Sequence, residues 1–163
     1  MRIRRLEAGD LERMSQLQRA VYLPALAEPP ETFANKMALF PEGALGCVEG
    51  EALLGYTLAL PWRGDAVVPL HGIIDALPER PDALYLHDMV VDPDFRGRGI
   101  ARQLLSALEA LAARADFARL ALVAVQGAEP FWQHLGFTPV ESFFYAPGCP
   151  ATRMVKTRAP PSR

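Results

Sequence analysis

Cysteine and histidine are scarce in this chain of 163 residues, which has two of the first and three of the second. Cys47 and Cys149 are too few for a disulfide framework, and neither has the spacing of a metal-binding motif. Two lone thiols of this kind are typical of structural cysteines in a reducing compartment. We therefore expect no disulfide, no metal site and a cytoplasmic location.

Long apolar runs and an excess of one charge sign are also missing. The longest apolar stretches span only a few residues, such as 120–125, and the charged residues 1–14 lack the apolar region of a secretory signal. The net charge of −2 does not indicate binding to nucleic acid or to an anionic membrane. The length and the 50% hydrophobic content fit a single domain with its own core.

Periodicity along the chain predicts an α/β (α+β) domain over 1–157, followed by a disordered tail over 158–163. The stretch 61–81 carries four prolines and little periodicity, which predicts a long loop of the kind that often covers a functional site. Helices are expected at 11–21, 31–40, 100–114 and 129–135. Strands are expected at 2–6, 43–49, 52–60, 84–91, 117–125, 137–146 and 152–157, with the last at an edge of the sheet.

The clearest motif lies between a predicted strand and a predicted helix. LYLHDMVV (84–91) is β-rich, Pro93 ends it, and the sequence FRGRG leads into a helix whose apolar stripe begins at Ile100. With the apolar strand at 117–125 this segment forms a βαβ unit, so the two strands should be parallel with a right-handed crossover.

The loop of this unit has the composition of a phosphate site. The first turn of a helix presents N–H groups without intrahelical partners at the positive end of the helix dipole. Gly97 and Gly99 remove side chains that would keep a pyrophosphate away from those groups, and Arg96, Arg98 and Arg102 add positive charge. No P-loop motif is present, and the loop lies too far along the chain for a Rossmann fingerprint.

These residues carry a family resemblance. LHDMVVDPDFRGRGIARQLL resembles motif A of the GNAT N-acetyltransferase superfamily, whose signature [QR]-x-x-G-x-[GA] is matched here by Arg96, Gly99 and Ala101. FWQHLGF (131–137) resembles the second motif of that family, which usually has a tyrosine where Trp132 stands. The resemblance implies a single-domain GNAT-like fold. Its mixed, mostly antiparallel twisted sheet would have six or seven strands, helices on both faces, and a splayed parallel pair near 84–91 and 117–125.

The resemblance also implies acetyl-CoA as co-substrate and transfer of its acetyl group to a primary amine by direct attack in a ternary complex. The pantetheine arm would bind backbone groups of the motif-A strand, the pyrophosphate would bind the loop amides, and the thioester would lie where the strands part. The cofactor-binding residues so implied are Met89, Val90, Val91, Arg96, Gly97, Arg98, Gly99, Ile100, Ala101 and Arg102.

His87 is the first candidate for a general base, because it lies on the motif-A strand and an ordinary histidine titrates close to working pH. Without a bulge, strand alternation puts Tyr85, His87 and Met89 on one face and Leu86 and Asp88 on the other. His87 and Asp88 would then not both face the cleft. A catalytically silent histidine bonded within the sheet is the alternative.

Trp132 departs from the family pattern, in which a tyrosine donates a proton to the departing thiolate. An indole N–H donates a hydrogen bond but is not an acid near neutral pH. We expect Trp132 to pack against the pantetheine arm or to plug the cleft, and we name Tyr145, or else Tyr85, as the candidate donor. The sequence gives no basis for assigning a role to Glu28.

The acceptor is expected to be a small-molecule or peptide amine, and the sequence leaves a homodimer open. Neither cysteine lies in a nucleophile motif, which favours direct attack over a covalent enzyme intermediate. Two alternatives remain. One is a non-catalytic acyl-CoA-binding sensor or regulatory module, and the other is an acyltransferase that uses another acyl group or acceptor.

Overall fold

The computed structural model describes residues 1–158, which form seven strands and four α-helices. The strands are β1 (Arg2–Arg5), β2 (Ala44–Glu49), β3 (Ala52–Trp62), β4 (Ala83–Val91), β5 (Arg119–Val125), β6 (Thr138–Ala146) and β7 (Cys149–Thr157). The helices are α1 (Leu11–Val21), α2 (Pro30–Leu39), α3 (Ile100–Arg114) and α4 (Glu129–His134). Arg158 donates its backbone N–H to Ala118 O, and the rest of the predicted tail, 159–163, lies outside the described residues.

All seven strands join one sheet in the order β1-β2-β3-β4-β5-β7-β6, and β4–β5 is its parallel pair. Helices α1 and α2 cover one face, where Met14 and Phe33 pack against Tyr56. Helices α3 and α4 cover the other face, where Leu104 packs among buried side chains that include Leu86. The predicted fold class, a mixed and mostly antiparallel sheet between helices, is confirmed.

The chain order of the last two strands does not match their order in the sheet. The sequence predicts the final strand at an edge, but β7 lies between β5 and β6, and β6 is the edge strand. The reason is burial, since Ala151 and Met154 of β7 are covered whereas the first five residues of β6 are exposed. Strand β7, the more buried strand of this hairpin, therefore takes the interior position.

Strand β4 contains a bulge that changes which side chains share a face. Its register against β3 pairs Leu58 with Asp88 and Ala59 with Leu86, so His87 is an extra residue without its own partner. Because a bulge resets the alternation, Asp88 faces α1 and α2 as His87 does, while Met89 packs with Leu86 on the α3 face. The expectation that Met89 shares a face with His87, and that His87 and Asp88 lie on opposite faces, is therefore wrong.

Residues 63–82 form a long connection without helix or strand, as predicted for 61–81. Val68 in this segment is fully buried against Leu60 and Tyr85, so the segment covers the end of the sheet on the α2 side. Asn35 of α2 holds it through two hydrogen bonds to the backbone of Ile74, with N···O distances of 3.0 and 2.9 Å. No helix within residues 1–158 has both the length and the apolar character needed to cross a membrane.

Candidate active site

The site begins where the two parallel strands separate. Strands β4 and β5 pair only over Ala83–Leu86 and Arg119–Leu122, although β4 continues to Val91 and β5 to Val125. Beyond Leu86 the facing edges of the two strands are no longer bonded to each other. A cleft of about 370 Å³ opens there, with walls that include His87, Met89 and Val123.

The glycine loop lies at one end of this cleft. Gly97 and Gly99 have φ angles of 81° and 79°, in the left-handed region that favours glycine, and Gly99 is the N-cap of α3. A Cβ built at either glycine meets no atom within 4 Å, so the loop is open on its outer side. The first backbone N–H to bond inside this turn is that of Gln103, which donates to Gly99 O at 3.0 Å. The preceding amides have no intrahelical acceptor, as at any helix start, and are available to an anion.

Positive charge surrounds this loop, but the three arginines differ in their contacts. Arg96 lines both the cleft and a cavity of about 560 Å³ at the loop, and Arg102 lines the loop cavity. Arg98 donates to Glu49 at 2.8 Å and lies over the Phe95 ring at 5.4 Å, so its charge is partly engaged. Arg96 and Arg102 are therefore the arginines of this segment that line the cavity at the glycine loop.

Three cavities connect the loop to a buried group of polar side chains. Arg96 and Phe131 line both the loop cavity and the cleft. Tyr22, His87 and Asp88 line both the cleft and an inner cavity of about 30 Å³ on the α1 side. These shared residues place the three cavities next to one another, from the glycine loop to His87.

His87 is buried and paired with a carboxylate. Its side chain is 1% exposed, and its Nε2 lies 2.6 Å from Glu28 Oε1. Burial acts to raise the pKa of the Glu28 carboxyl, but the hydrogen bond and charge of His87, the His71 amide and the Lys36 charge together hold the pKa below its usual range. Glu28, to which the sequence assigns no role, is therefore an ionised partner of the candidate base.

Asp88 is the centre of a second buried cluster beside His87. Its carboxylate accepts hydrogen bonds from Gln18 Nε2 at 2.6 Å, Tyr22 OH at 2.8 Å and Tyr56 OH at 2.6 Å. Complete burial raises the pKa of Asp88 although the hydrogen bonds and the charge of His87 act to lower it. The same cluster links α1 to the middle of the sheet directly behind the cleft.

The two aromatic side chains proposed from the sequence have different surroundings. Trp132 is 8% exposed, packs edge-on against Phe131 and Phe137, and forms part of the cleft wall. The Tyr145 hydroxyl lines the inner cavity and donates to Val68 O, and burial raises its pKa far above the usual tyrosine value. Trp132 is thus part of the core and of the cleft, whereas Tyr145 holds the 63–82 segment.

The remaining residues predicted to bind the cofactor are placed around the cleft and the loop. The Met89 side chain lines the cleft and that of Val91 lines the loop cavity, whereas Val90 is buried on the opposite face. Gly97, Gly99, Ile100 and Ala101 line the loop cavity with Arg96 and Arg102. Among residues 1–158 no three His, Cys, Asp or Glu side chains are grouped to hold a metal ion.

Sequence reasoning missed several residues that shape the site. Phe131 is 47% exposed and lies between the loop cavity and the cleft, where a hydrophobic ligand can contact it. Gln126, with a φ of 53°, bonds to Leu23 N and Val21 O and so ties the end of β5 to the end of α1. Its position at a strand end was visible in the sequence, but its partners, more than 100 positions away, were not.

We expect substitution of Asp88 by asparagine to change how stability depends on pH. A carboxyl with a raised pKa binds its proton more tightly in the folded chain, so the wild type loses stability as pH rises above 3.8, the ordinary value. We compare the free energy of unfolding of the wild type with that of Asp88→Asn. The wild-type value minus the variant value should fall by up to about 1.4 kcal/mol per pH unit between pH 3.8 and the raised pKa. Denaturant titrations at several pH values measure it.

The matched control is Asp65→Asn, since the Asp65 side chain is 67% exposed and lies in the 63–82 segment. Its difference from the wild type should be small at every pH. A flat difference for Asp88→Asn across the same range would contradict a raised carboxyl pKa at that position.

Known proteins were compared with this chain by sequence family and by fold. A family model described as an acetyltransferase (GNAT) domain matches residues 52–158, which is more than half of the chain. No curated protein matches the sequence significantly.

Many solved structures share the fold. A GNAT-like decarboxylase, GphF, in complex with isobutyryl-CoA aligns with a TM-score of 0.83 at 17% identity, covering 98% of this chain and 100% of the other. The ribosomal-protein-S18-alanine N-acetyltransferase from Escherichia coli gives 0.69 at 17%, covering 99% and 96%. An aminoglycoside 6'-N-acetyltransferase complexed with coenzyme A gives 0.70 at 19%, covering both chains fully at 100%. With the family model covering 52–158, the chain belongs to the GNAT acetyltransferase family.

Proposed function

We propose that the protein transfers an acetyl group from acetyl-CoA to the primary amine of a small molecule or peptide, by direct attack in a ternary complex. The observation that carries this proposal is a series of three adjoining cavities that share lining residues. They extend from the open glycine loop at Gly97 and Gly99, along the edge of β4 that β5 leaves unpaired, to the buried His87–Glu28 pair. GNAT structures with CoA-type ligands, such as those above, support the choice of cofactor.

The residues at the loop fit a pyrophosphate. Left-handed glycines at 97 and 99 leave the space above the loop free of side chains, and the first amides of α3 point their N–H groups toward it. Arg96 and Arg102 line the same cavity, and an anion placed there also meets the positive end of the α3 dipole. From Met89 to Val91, β4 pairs with β3 but not with β5, so the edge that faces β5 offers backbone groups to the amides of a pantetheine arm.

The buried end of the cleft fits the deprotonation of an amine. A primary amine with a pKa near 10.4 is mostly protonated at neutral pH, and freeing its lone pair costs about 4 kcal/mol. His87 takes that proton, and Glu28 stabilises the imidazolium that results. A backbone N–H near Val90 or Val91 stabilises the charge that develops on the thioester oxygen.

The candidate donors for the departing thiolate are weak acids, and Tyr145 lines the inner cavity with His87 rather than the cleft wall at Trp132. Trp132 occupies the place of the usual tyrosine and cannot supply a proton. Tyr145 keeps its proton because burial raises its pKa, but it must exchange its bond to Val68 O for the thiolate before it can donate. A thiol with an ordinary pKa near 8.5 is a fair leaving group without help, so Tyr145 assists rather than controls the step.

We expect Gly99→Glu to abolish most of the affinity for coenzyme A. The new carboxylate would stand at the helix start, where it blocks the amides and repels the pyrophosphate. Loss of one or two charge-assisted hydrogen bonds predicts a fall in affinity of about a hundredfold, or about 2.8 kcal/mol. Isothermal titration calorimetry with coenzyme A measures it.

Gly148→Glu is the control for backbone strain, because Gly148 also has a left-handed φ of 72° and open space around its Cβ. It lies in the β6–β7 turn and should leave the affinity unchanged. Wild-type affinity in Gly99→Glu would overturn the assignment of the pyrophosphate site.

We expect His87→Ala to lower kcat by about 10²–10⁴, the usual contribution of a positioned general base, and to flatten the dependence of kcat/KM on pH. Release of free thiol from acetyl-CoA over a panel of amines measures the rate. His134→Ala is the control, because His134 is exposed at the end of α4. An unchanged dependence of kcat/KM on pH in His87→Ala would show that His87 is not the base. Binding of coenzyme A without turnover of any amine would favour the sensor alternative.

A second candidate function, decarboxylation of a carboxyacyl-CoA, is favoured by the size of the inner cavity. Its volume of about 30 Å³ is close to that of one water molecule, so a bulky amine requires Leu26 or Leu70 to move. Decarboxylation needs no acceptor. The bond between the carboxylate and the α-carbon breaks, carbon dioxide leaves, and the electron pair on the α-carbon takes a proton. One structure with the same fold is a GNAT-like decarboxylase.

Amine transfer remains the first proposal because Glu28 and Asp88 line the inner cavity and repel a substrate carboxylate. The two functions separate in one experiment, in which the protein is incubated with malonyl-CoA without any amine. We expect no acetyl-CoA by chromatography and no carbon dioxide above the rate without protein. Appearance of both at equal amounts would reverse the order of the two candidates.

A further inference from the structure

We propose that Glu28 is a positioning residue for His87. It accepts a hydrogen bond from the Nε2–H group of the ring, and this leaves Nδ1 as the atom that receives the proton of the amine. The catalytic consequence rests on the proposed function. The assignment of the ring proton rests only on the contacts of Glu28 and His87 within the described chain.

Both oxygens of Glu28 are engaged by donors. Oε1 lies 2.6 Å from His87 Nε2, and Oε2 accepts the backbone N–H of His71 at 2.8 Å. The backbone N–H of Glu28 donates to Gln18 Oε1 at 2.7 Å, which fixes the start of its side chain. Because an ionised carboxylate has acceptors but no donors, the proton in the short contact belongs to Nε2.

The other ring nitrogen is free to act as a base. Nδ1 of His87 is buried, and no hydrogen-bond partner for it is found within residues 1–158. A neutral ring that carries its proton on Nε2 has its lone pair on Nδ1, which is the form that general base catalysis requires. His87 is one of the residues that line both the cleft and the inner cavity, where the proposed acceptor would bind.

The charges around the pair keep Glu28 in its acceptor form. Lys36 of α2 is 1% exposed, donates to Gly72 O at 3.3 Å, and adds a buried positive charge that favours the ionised carboxylate. Burial lowers the pKa of Lys36, while Glu28 and Asp88 act in the opposite direction.

Of the other titratable groups beside His87, Asp88 and Tyr145 bond elsewhere, whereas the Tyr85 hydroxyl is buried with no hydrogen-bond partner found within residues 1–158. Asp88 accepts its three bonds from Gln18, Tyr22 and Tyr56, and Tyr145 donates to Val68 O. Tyr85 stacks on the imidazole with ring centroids 6.4 Å apart. In the part of the chain that the structure describes, Glu28 is the side chain that bonds to the ring nitrogens.

An amide in place of this carboxylate cannot satisfy both contacts. Two N–H groups, from His71 and His87, converge on the two oxygens of Glu28, whereas a glutamine offers one acceptor and one donor. The His71 amide is fixed in the backbone and keeps the acceptor. The glutamine NH₂ then donates to Nε2 of His87, which moves the ring proton to Nδ1 and removes the base.

Nitrogen NMR of protein labelled with ¹⁵N-histidine tests the assignment without any substrate. The His87 signals are identified by their absence in His87→Ala. At a pH where the ring is neutral we expect the wild type to show a protonated Nε2 and an unprotonated Nδ1, and Glu28→Gln to show the reverse. A wild-type His87 with its proton on Nδ1 would overturn the proposal, even if no variant at Glu28 folds.

Steady-state kinetics test the consequence. We expect Glu28→Gln to lower kcat by about a hundredfold or more with KM for acetyl-CoA unchanged, because the glycine loop is untouched. Glu109→Gln is the control, since Glu109 accepts from Lys156 at 2.7 Å on the outer part of α3. If Glu28→Gln moves the ring proton of His87 to Nδ1 but keeps the wild-type kcat, the proposal is also contradicted. A wild type that acetylates no amine contradicts the proposed function, and the NMR result still decides the tautomer.

Discussion

The extra residue in β4 is the constraint on which both the core and the site depend. β3 pairs with β4 on either side of His87, so the additional residue has to be absorbed as a bulge. With strict alternation Asp88 would share the face of Leu84 and Leu86 and would lie as an unpaired carboxylate among the leucines of α3. Such burial costs several kcal/mol. The bulge instead turns Asp88 toward its three donors, returns Met89 to the apolar face, and coincides with the point where β4 leaves β5.

The polar groups behind the cleft are held from several directions, which fixes the shape of the site. Glu28 joins the α1–α2 connection to β4 and to the 63–82 segment through His87 and His71. Gln126 joins the far end of β5 to α1, so the second wall of the cleft is bonded to the same helix as the first. Because both walls are tied to α1, the separation of the strands is a property of the folded chain and does not require a ligand. A preformed cleft of this kind positions two substrates at little further entropic cost.

The parts of the molecule that were predictable from the sequence depend on short-range contacts. The left-handed glycines, the start of α3 and the hairpin of β2 and β3 follow from residues a few positions apart. His87 and Glu28 are 59 positions apart, and nothing in either local sequence indicates that they meet. The bulge and the interior position of β7 were missed for the same reason, since pairing with other strands decides them. The family resemblance supplied the fold, but Trp132 departs from its pattern, and the resemblance gives no partner for His87.

For the proposed acetyl transfer, the distribution of acids and bases along the cleft favours catalysis at the amine over catalysis at the thiol. Two carboxylates and a histidine border the inner cavity, whereas the thiol end is bordered by Trp132, which packs against Phe131 and Phe137. The energies agree with this asymmetry. Freeing an amine lone pair at neutral pH costs about 4 kcal/mol, while a thiolate with an ordinary pKa near 8.5 leaves about 2 kcal/mol above its protonated form. If a site carries one proton-transfer group, that group raises the rate more at the amine than at the thiol. The buried His87–Glu28 pair lies at the amine end.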